Sequence, residues 1–257
     1  MTAEKPNSPL NLSGLRLYVA DRVQPFFEQV LAERGDILAL HVIGSAVTGD
    51  FDPDRSDINT MIVLKRMDLD VLDFLGSLCR EFDDSRIRSP MLMTPKYIER
   101  WQQLSPVELL EVKLINVPVF GVDLLSQIEI GRDVVREQCK WDLRRRLIDL
   151  SWGYVRAGGR KRELTELLHQ SVAGLAPLIR GLLYSRGEEP PTTAMPLFDA
   201  LGSLIGGPAL SFKEVFWMKL RDTKMPVARV RATLKDYYRA IETLIDVVDR
   251  MDPTEEP

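Results

Sequence analysis

Apolar positions along the first third of the chain change period several times, and each change marks an element. Leu15, Leu17, Val19, Val23, Phe26, Phe27, Val30 and Leu31 fall at mostly helical spacing, so residues 15–33 are predicted to form an amphipathic helix despite Pro25. Gly35-Asp36 closes it. Ile37 to Ile43 is a short apolar run suited to a buried strand, and Thr60 to Leu64 is a second. A helix is predicted over Asp68 to Phe82, with Asp68 as its N-cap. A third strand is predicted over Ile87 to Thr94, and Pro95 suits the first turn of a further helix. Val117 to Gly121 reads as a last short strand, with Gly121 turning the chain.

Beyond about Leu125 the pattern becomes almost entirely helical. Val135, Cys139, Leu143, Leu147 and Leu150 form one apolar stripe, and Gly158-Gly159 offers a left-handed C-terminal cap. Leu164, Leu167, Leu168, Val172, Leu175, Leu178, Ile179 and Leu182 form a second stripe, with a kink expected at Pro177. Shorter helices near 194–205 and 211–222, and a long one over Val227 to Met251, complete a bundle. The predicted fold class is α+β: an N-terminal mixed sheet with flanking helices over 14–126, then a C-terminal helical bundle over 127–252. Residues 1–13 read as a flexible arm and 253–257 as a tail.

At 257 residues and 45% hydrophobic, the chain can bury a sizeable core. No apolar run approaches a membrane span, and the polar opening residues read as an arm and not as a signal peptide. Only Cys79 and Cys139 are present, which fits a reducing compartment. A cytoplasmic location is the expectation. Charge is unevenly distributed: Asp50, Asp52, Asp54 and Asp57 crowd one loop, whereas Arg132, Arg136, Lys140, Arg144, Arg145 and Arg146 crowd one predicted helix.

The segment between the first two strands carries the chemistry. An apolar strand runs into Gly44-Ser45, and Ser56-Asp57-Ile58-Asn59 leads into the next. Glycine lets backbone approach an anion, and the serine hydroxyl donates to it. Residues two apart on a strand share a face, so Asp57 and Asn59 project together while Ile58 turns to the core. Between them, these positions place a turn that can admit an anion, or serve only as a turn, beside two polar side chains on one face.

The run LeuHisValIleGlySerAlaValThrGly followed by SerAspIle resembles the polymerase-beta-like nucleotidyltransferase superfamily, and within it the aminoglycoside adenylyltransferases. That resemblance implies a nucleotidyltransferase-like N-terminal domain. It implies that Gly44 and Ser45 hold the phosphates of a nucleoside triphosphate, ATP foremost, and that Asp57 binds magnesium. If active, such a protein transfers a nucleoside monophosphate to a hydroxyl acceptor. Family enzymes carry a second aspartate where Asn59 stands and usually a third acid on a following strand. Here Asn59 offers the ion only a carbonyl oxygen. Ser89, Pro90, Met91, Leu92 and Met93 hold no acid at all. The resemblance therefore leaves two functions open, a nucleotidyltransferase with a weakened magnesium site and a degenerate one acting as a nucleotide-sensing or partner-binding module.

On the basic helix, Lys140, Arg144 and Arg145 are candidates for contacting a triphosphate or an anionic substrate, Lys140 and Arg144 foremost, since arginine forks match phosphate oxygens. A solvated charged face is the other reading of the same residues. Trp141, Trp152 and Tyr154 either stack on a base or pack structurally. The acceptor is not legible.

Overall fold

A computed structural model describes residues 9–172, 174–207, 209–221 and 225–251. The fold is α+β, a four-stranded mixed sheet with helices, and the C-terminal part is helical. The chain divides into two compact units. One runs up to Ser105 and again over Leu109–Glu129, and the other joins Pro106–Glu108 to the chain from Ile130 onward.

The first unit is built on β1 (Ile37–Ile43), β2 (Asn59–Leu64), β3 (Met91–Met93) and β4 (Asn116–Gly121), in the order β3-β2-β1-β4. β1 pairs antiparallel with both β2 and β4, while β2 pairs parallel with β3. Helix α1 (Leu17–Glu33) buries Val19, Val23, Phe26, Phe27 and Val30 in a core shared with Leu40, Val42, Ile62 and Leu64 of the sheet. Helix α2 (Leu69–Glu81) adds Val71, Leu75 and Leu78 to that core. Pro25 sits inside α1 on its exposed side, where the carbonyl it leaves unpaired can meet water. The Asp68 side chain accepts from the Val71 amide at 3.0 Å, the N-cap the sequence predicts.

Two connections differ from expectation. The predicted strand over Ile87 to Thr94 shortens to Met91–Met93, because Pro90 cannot donate to a ladder and interrupts the run. Ile87 is left as a single parallel bridge to Ile58. After β3, Pro95 opens α3 (Pro95–Leu104) as predicted, and Pro106 opens α4 (Pro106–Leu114). At the far end of β4, Gly121 has φ +77°, and a Cβ there would lie 1.9 Å from the Leu38 carbonyl oxygen of β1. Only glycine permits the two strands to meet at that point.

The second unit centres on α5 (Arg132–Ala157), which packs against α6 (Lys161–Val172), α7 (Leu175–Ser185) and α10 (Val227–Asp249). α8 (Ala194–Leu204) and α9 (Leu210–Arg221) complete it. Val135, Cys139, Leu143 and Leu150 of α5 are buried as the stripe predicts, but Leu147 is only partly so. The stripe through Leu164 to Leu182 is two helices and not one kinked helix. The break falls before Leu175, and Pro177 lies in the first turn of α7, where no intrahelical N–H is needed. Tyr237 of α10 is fully buried, and its hydroxyl donates to the Ser171 carbonyl oxygen at 3.0 Å. Among the described residues no helix is long and apolar enough to cross a membrane.

Candidate functional site

β1 ends at Ile43, and the chain passes directly into a 3-10 turn over Gly44–Val47. Gly44 has φ +71°, a left-handed conformation that a side chain would strain. Its amide donates to the Ile115 carbonyl oxygen at 3.0 Å, and the Ser45 carbonyl oxygen accepts from the Thr48 amide at 3.0 Å. Ser45 itself is half-buried at the mouth of the turn.

The loop that follows is ordered by its own polar groups. The Asp52 carboxylate accepts from the Asp54 amide at 3.0 Å, and the Asp52 amide donates to Ser56 Oγ at 3.1 Å. These bonds make a solvated turn around Pro53. Asp52 and Asp54 are exposed within that turn, so they belong to the loop's own structure.

Sheet register then brings the two halves of the motif together. Ile43 lies opposite Asn59 across β1 and β2, so the Gly-Ser turn adjoins the start of the second strand. A Cβ on Gly44 would lie 3.5 Å from Asn59 Nδ2. Ile58 is fully buried while Asp57 and Asn59 stay half-exposed, the alternation predicted for a strand. Gly44, Ser45, Asp57 and Asn59 thus share one edge of the first unit.

A residue that sequence reasoning passed over completes this edge. The Ile58 amide donates to the Arg86 carbonyl oxygen at 2.8 Å, and the Arg88 amide donates to the Ile58 carbonyl oxygen at 3.0 Å. Arg86 holds φ +55°, uncommon for a side-chain-bearing residue, as the chain turns into this pairing. Clamped there, Arg88 extends its guanidinium back, and Nε donates to Asp57 Oδ2 at 2.8 Å. The segment expected to supply a third acid supplies a cation instead. A basic residue immediately before Ser89 was the available signal.

Magnesium favours octahedral oxygen ligands and is held by one or two carboxylates together with substrate phosphates. Here the protein offers one carboxylate and one amide oxygen, and the carboxylate's charge is already met by Arg88. Among the described residues no three His, Cys, Asp or Glu gather as a metal cluster. The donors present do not fit the two- or three-carboxylate magnesium site that the resemblance implies.

His41 lies on β1 and is fully buried. Its Nδ1 is 3.1 Å from Asn116 Oδ1, and Asn116 Nδ2 donates to the Lys113 carbonyl oxygen at 2.9 Å. That second bond fixes the amide, so Nδ1 carries the proton. Burial pushes the His41 pKa below the ordinary imidazole value, partly offset by Asn116. A neutral structural histidine is the result.

Lys140 and Arg144 belong to the helical unit and are engaged within it. Lys140 Nζ contacts Glu137 Oε1 at 2.9 Å, and Arg144 Nη2 contacts Asp249 Oδ1 at 2.5 Å. The basic run of α5 is largely an ion-paired surface. No family model matches the chain, and no curated protein matches it.

Proposed function

We propose that this is a nucleotidyltransferase-fold protein that binds a nucleoside triphosphate such as ATP and has given up nucleotidyl transfer, acting as a nucleotide-sensing or partner-binding module. The observation that carries this reading is the register of Ile43 with Asn59, which sets the Gly44-Ser45 turn beside Asp57 and Asn59. A left-handed glycine and a half-buried serine at a strand end favour close approach of an anion. Transfer requires a metal held against the α-phosphate, and the donor set is short of the charge to hold one. Arg88 supplies positive charge at the same edge, and guanidinium forks match phosphate oxygens. The binding reading therefore keeps the phosphate turn and adds a guanidinium that can exchange its exposed Asp57 contact for a phosphate oxygen.

Calorimetry of ATP binding tests this directly, in magnesium and in EDTA. Binding is expected in both, with affinities within a few-fold of one another. Arg88→Ala weakens it by about tenfold, the loss of one charge-assisted contact worth about 1.5 kcal/mol. Folding is preserved, because an exposed ion pair contributes only about 0–1 kcal/mol. A wild-type protein that binds no ATP under either condition refutes the reading. Robust labelled-nucleotide transfer by the wild type refutes its non-catalytic half.

A further inference from the structure

Helix α5 carries apolar residues on two opposite faces. One holds Val135, Cys139, Leu143 and Leu150 and is buried in the bundle. The other is exposed: Val134 at 46%, Trp141 at 72%, Ile148 at 50% and Val155 at 79% recur every seven residues, and Trp152 at 72% stands among them. A seven-residue apolar repeat of this kind supplies one of the two rows from which a helix–helix seam is built, and Trp152 adds to the second. Arg145 and Asp149 lie along the same face, 83% and 64% exposed, and their mutual contact is only 4.0 Å.

We propose that this face is where a second copy of the chain docks, with the two α5 helices antiparallel about a two-fold axis near Leu147. Three properties assign the occupant. The stripe is self-complementary in that geometry: Trp141 of one copy comes level with Trp152 of the other, and Arg145 with Asp149, both to within about one residue of rise, or 1.5 Å. Parallel packing sets Arg145 against Arg145 instead. The area is also adequate. At about 150–250 Å² per aromatic side chain, two tryptophans of this exposure offer on the order of 300 Å². Ile148, Val155 and the stem of Arg145 offer a comparable area, so two copies bury at most roughly 1,200 Å² in total, the lower bound of a stable interface. Finally, the ridge is flanked within its own unit by open grooves. One of about 630 Å³ lies beside Trp152, towards α6 and α7, and one of about 700 Å³ lies beside Val155, towards α10. A partner's ridge has somewhere to seat on either side. An isologous contact of this kind closes as a dimer and leaves no free copy of the face.

Sedimentation velocity on the full chain at micromolar concentration tests the proposal. A dimer is expected, and Trp141→Glu or Trp152→Glu weakens it by about 30-fold, as for a central aromatic anchor. Circular dichroism of these variants stays native, because both rings are exposed. The charge pair gives the sharper arm. Arg145→Asp and Asp149→Arg each weaken dimerisation, and the two combined restore it. Cross-linking supplies a second measurement: an Ile148→Cys variant in a Cys79→Ser background joins two copies through a short bis-maleimide, whereas buried Cys139 stays unreactive. A protein that is monomeric up to about a hundred micromolar overturns the proposal. So does a dimer indifferent to both tryptophans and to the charge exchange.

Discussion

On the proposed function, replacing Asn59 by aspartate should make nucleotide binding depend on magnesium more strongly than in the wild type. Asn59 begins β2, beside the Gly44 turn and two residues from Asp57 on the same half-exposed edge. A divalent ion about 4 Å from one added carboxylate gains about 2 kcal/mol in bulk-water dielectric and about 8 kcal/mol at an effective dielectric of 20. Because the edge is half-exposed, the lower figure applies, and about 2 kcal/mol corresponds to roughly 30-fold in affinity. The same change has a cost without metal. Two carboxylates about 6–7 Å apart along a strand repel by about 0.6 kcal/mol in water. Apo Asn59→Asp is therefore slightly less stable than wild type. Calorimetry should show ATP binding to Asn59→Asp at least tenfold tighter in magnesium than in EDTA, against a ratio of a few-fold for wild type. Thermal unfolding should show the variant's lost stability restored by magnesium with ATP. The reasoning fails if wild-type binding already requires magnesium, or if the variant binds equally in both buffers.

Three further outcomes follow from the packing. Gly121→Ala places a methyl 1.9 Å from the Leu38 carbonyl oxygen at φ +77°, so it should destabilise the chain by more than about 3 kcal/mol in urea unfolding. A loss under about 1 kcal/mol would mean that β1 and β4 do not meet as described. Buried His41 has a folded pKa below its unfolded one, so the unfolded state takes up the proton first. Its contribution is complete above the ordinary value of about 6.5 and is lost as pH falls below it, at up to about 1.4 kcal/mol per pH unit. Urea titrations of wild type and His41→Gln between neutral and mildly acid pH should diverge with that sign. Tyr237→Phe removes a buried hydroxyl that donates to Ser171, and should cost about 1 kcal/mol without altering ATP affinity.

Local signals in the sequence locate nearly every element of the first unit. Asp68 and Pro95 mark helix starts because capping and a missing N–H act within one turn. The third strand reads too long from periodicity alone because Pro90 acts on pairing, which a periodic pattern does not register. Pro177 suggests a kink within one helix, although proline in a first turn is compatible with helix and the break lies before Leu175. At the site, Gly44, Ser45, Asp57 and Asn59 are legible from strand alternation and glycine chemistry, but Arg88 is not. It is distant from Asp57 in sequence and joins the edge only through the bridge of Ile58 with Ile87. Lys140 and Arg144 stand out as part of a charge run, whereas the pairing of Arg144 with Asp249 is apparent only once α5 and α10 pack.

Residue type and short-range spacing were enough for the α+β class, the helical C-terminal part and the phosphate-turn candidate, and the family resemblance for the shortage of acids beside it. What those residues face came only with packing. Strand pairing set Asn59 opposite Ile43, beside the Gly44 turn, and turned Arg88 onto Asp57, and the bundle left one apolar face of α5 outside itself. The reason is that charge and burial are properties of neighbours in space. Strand register and helix packing choose those neighbours, and neither is written in the spacing of any single segment.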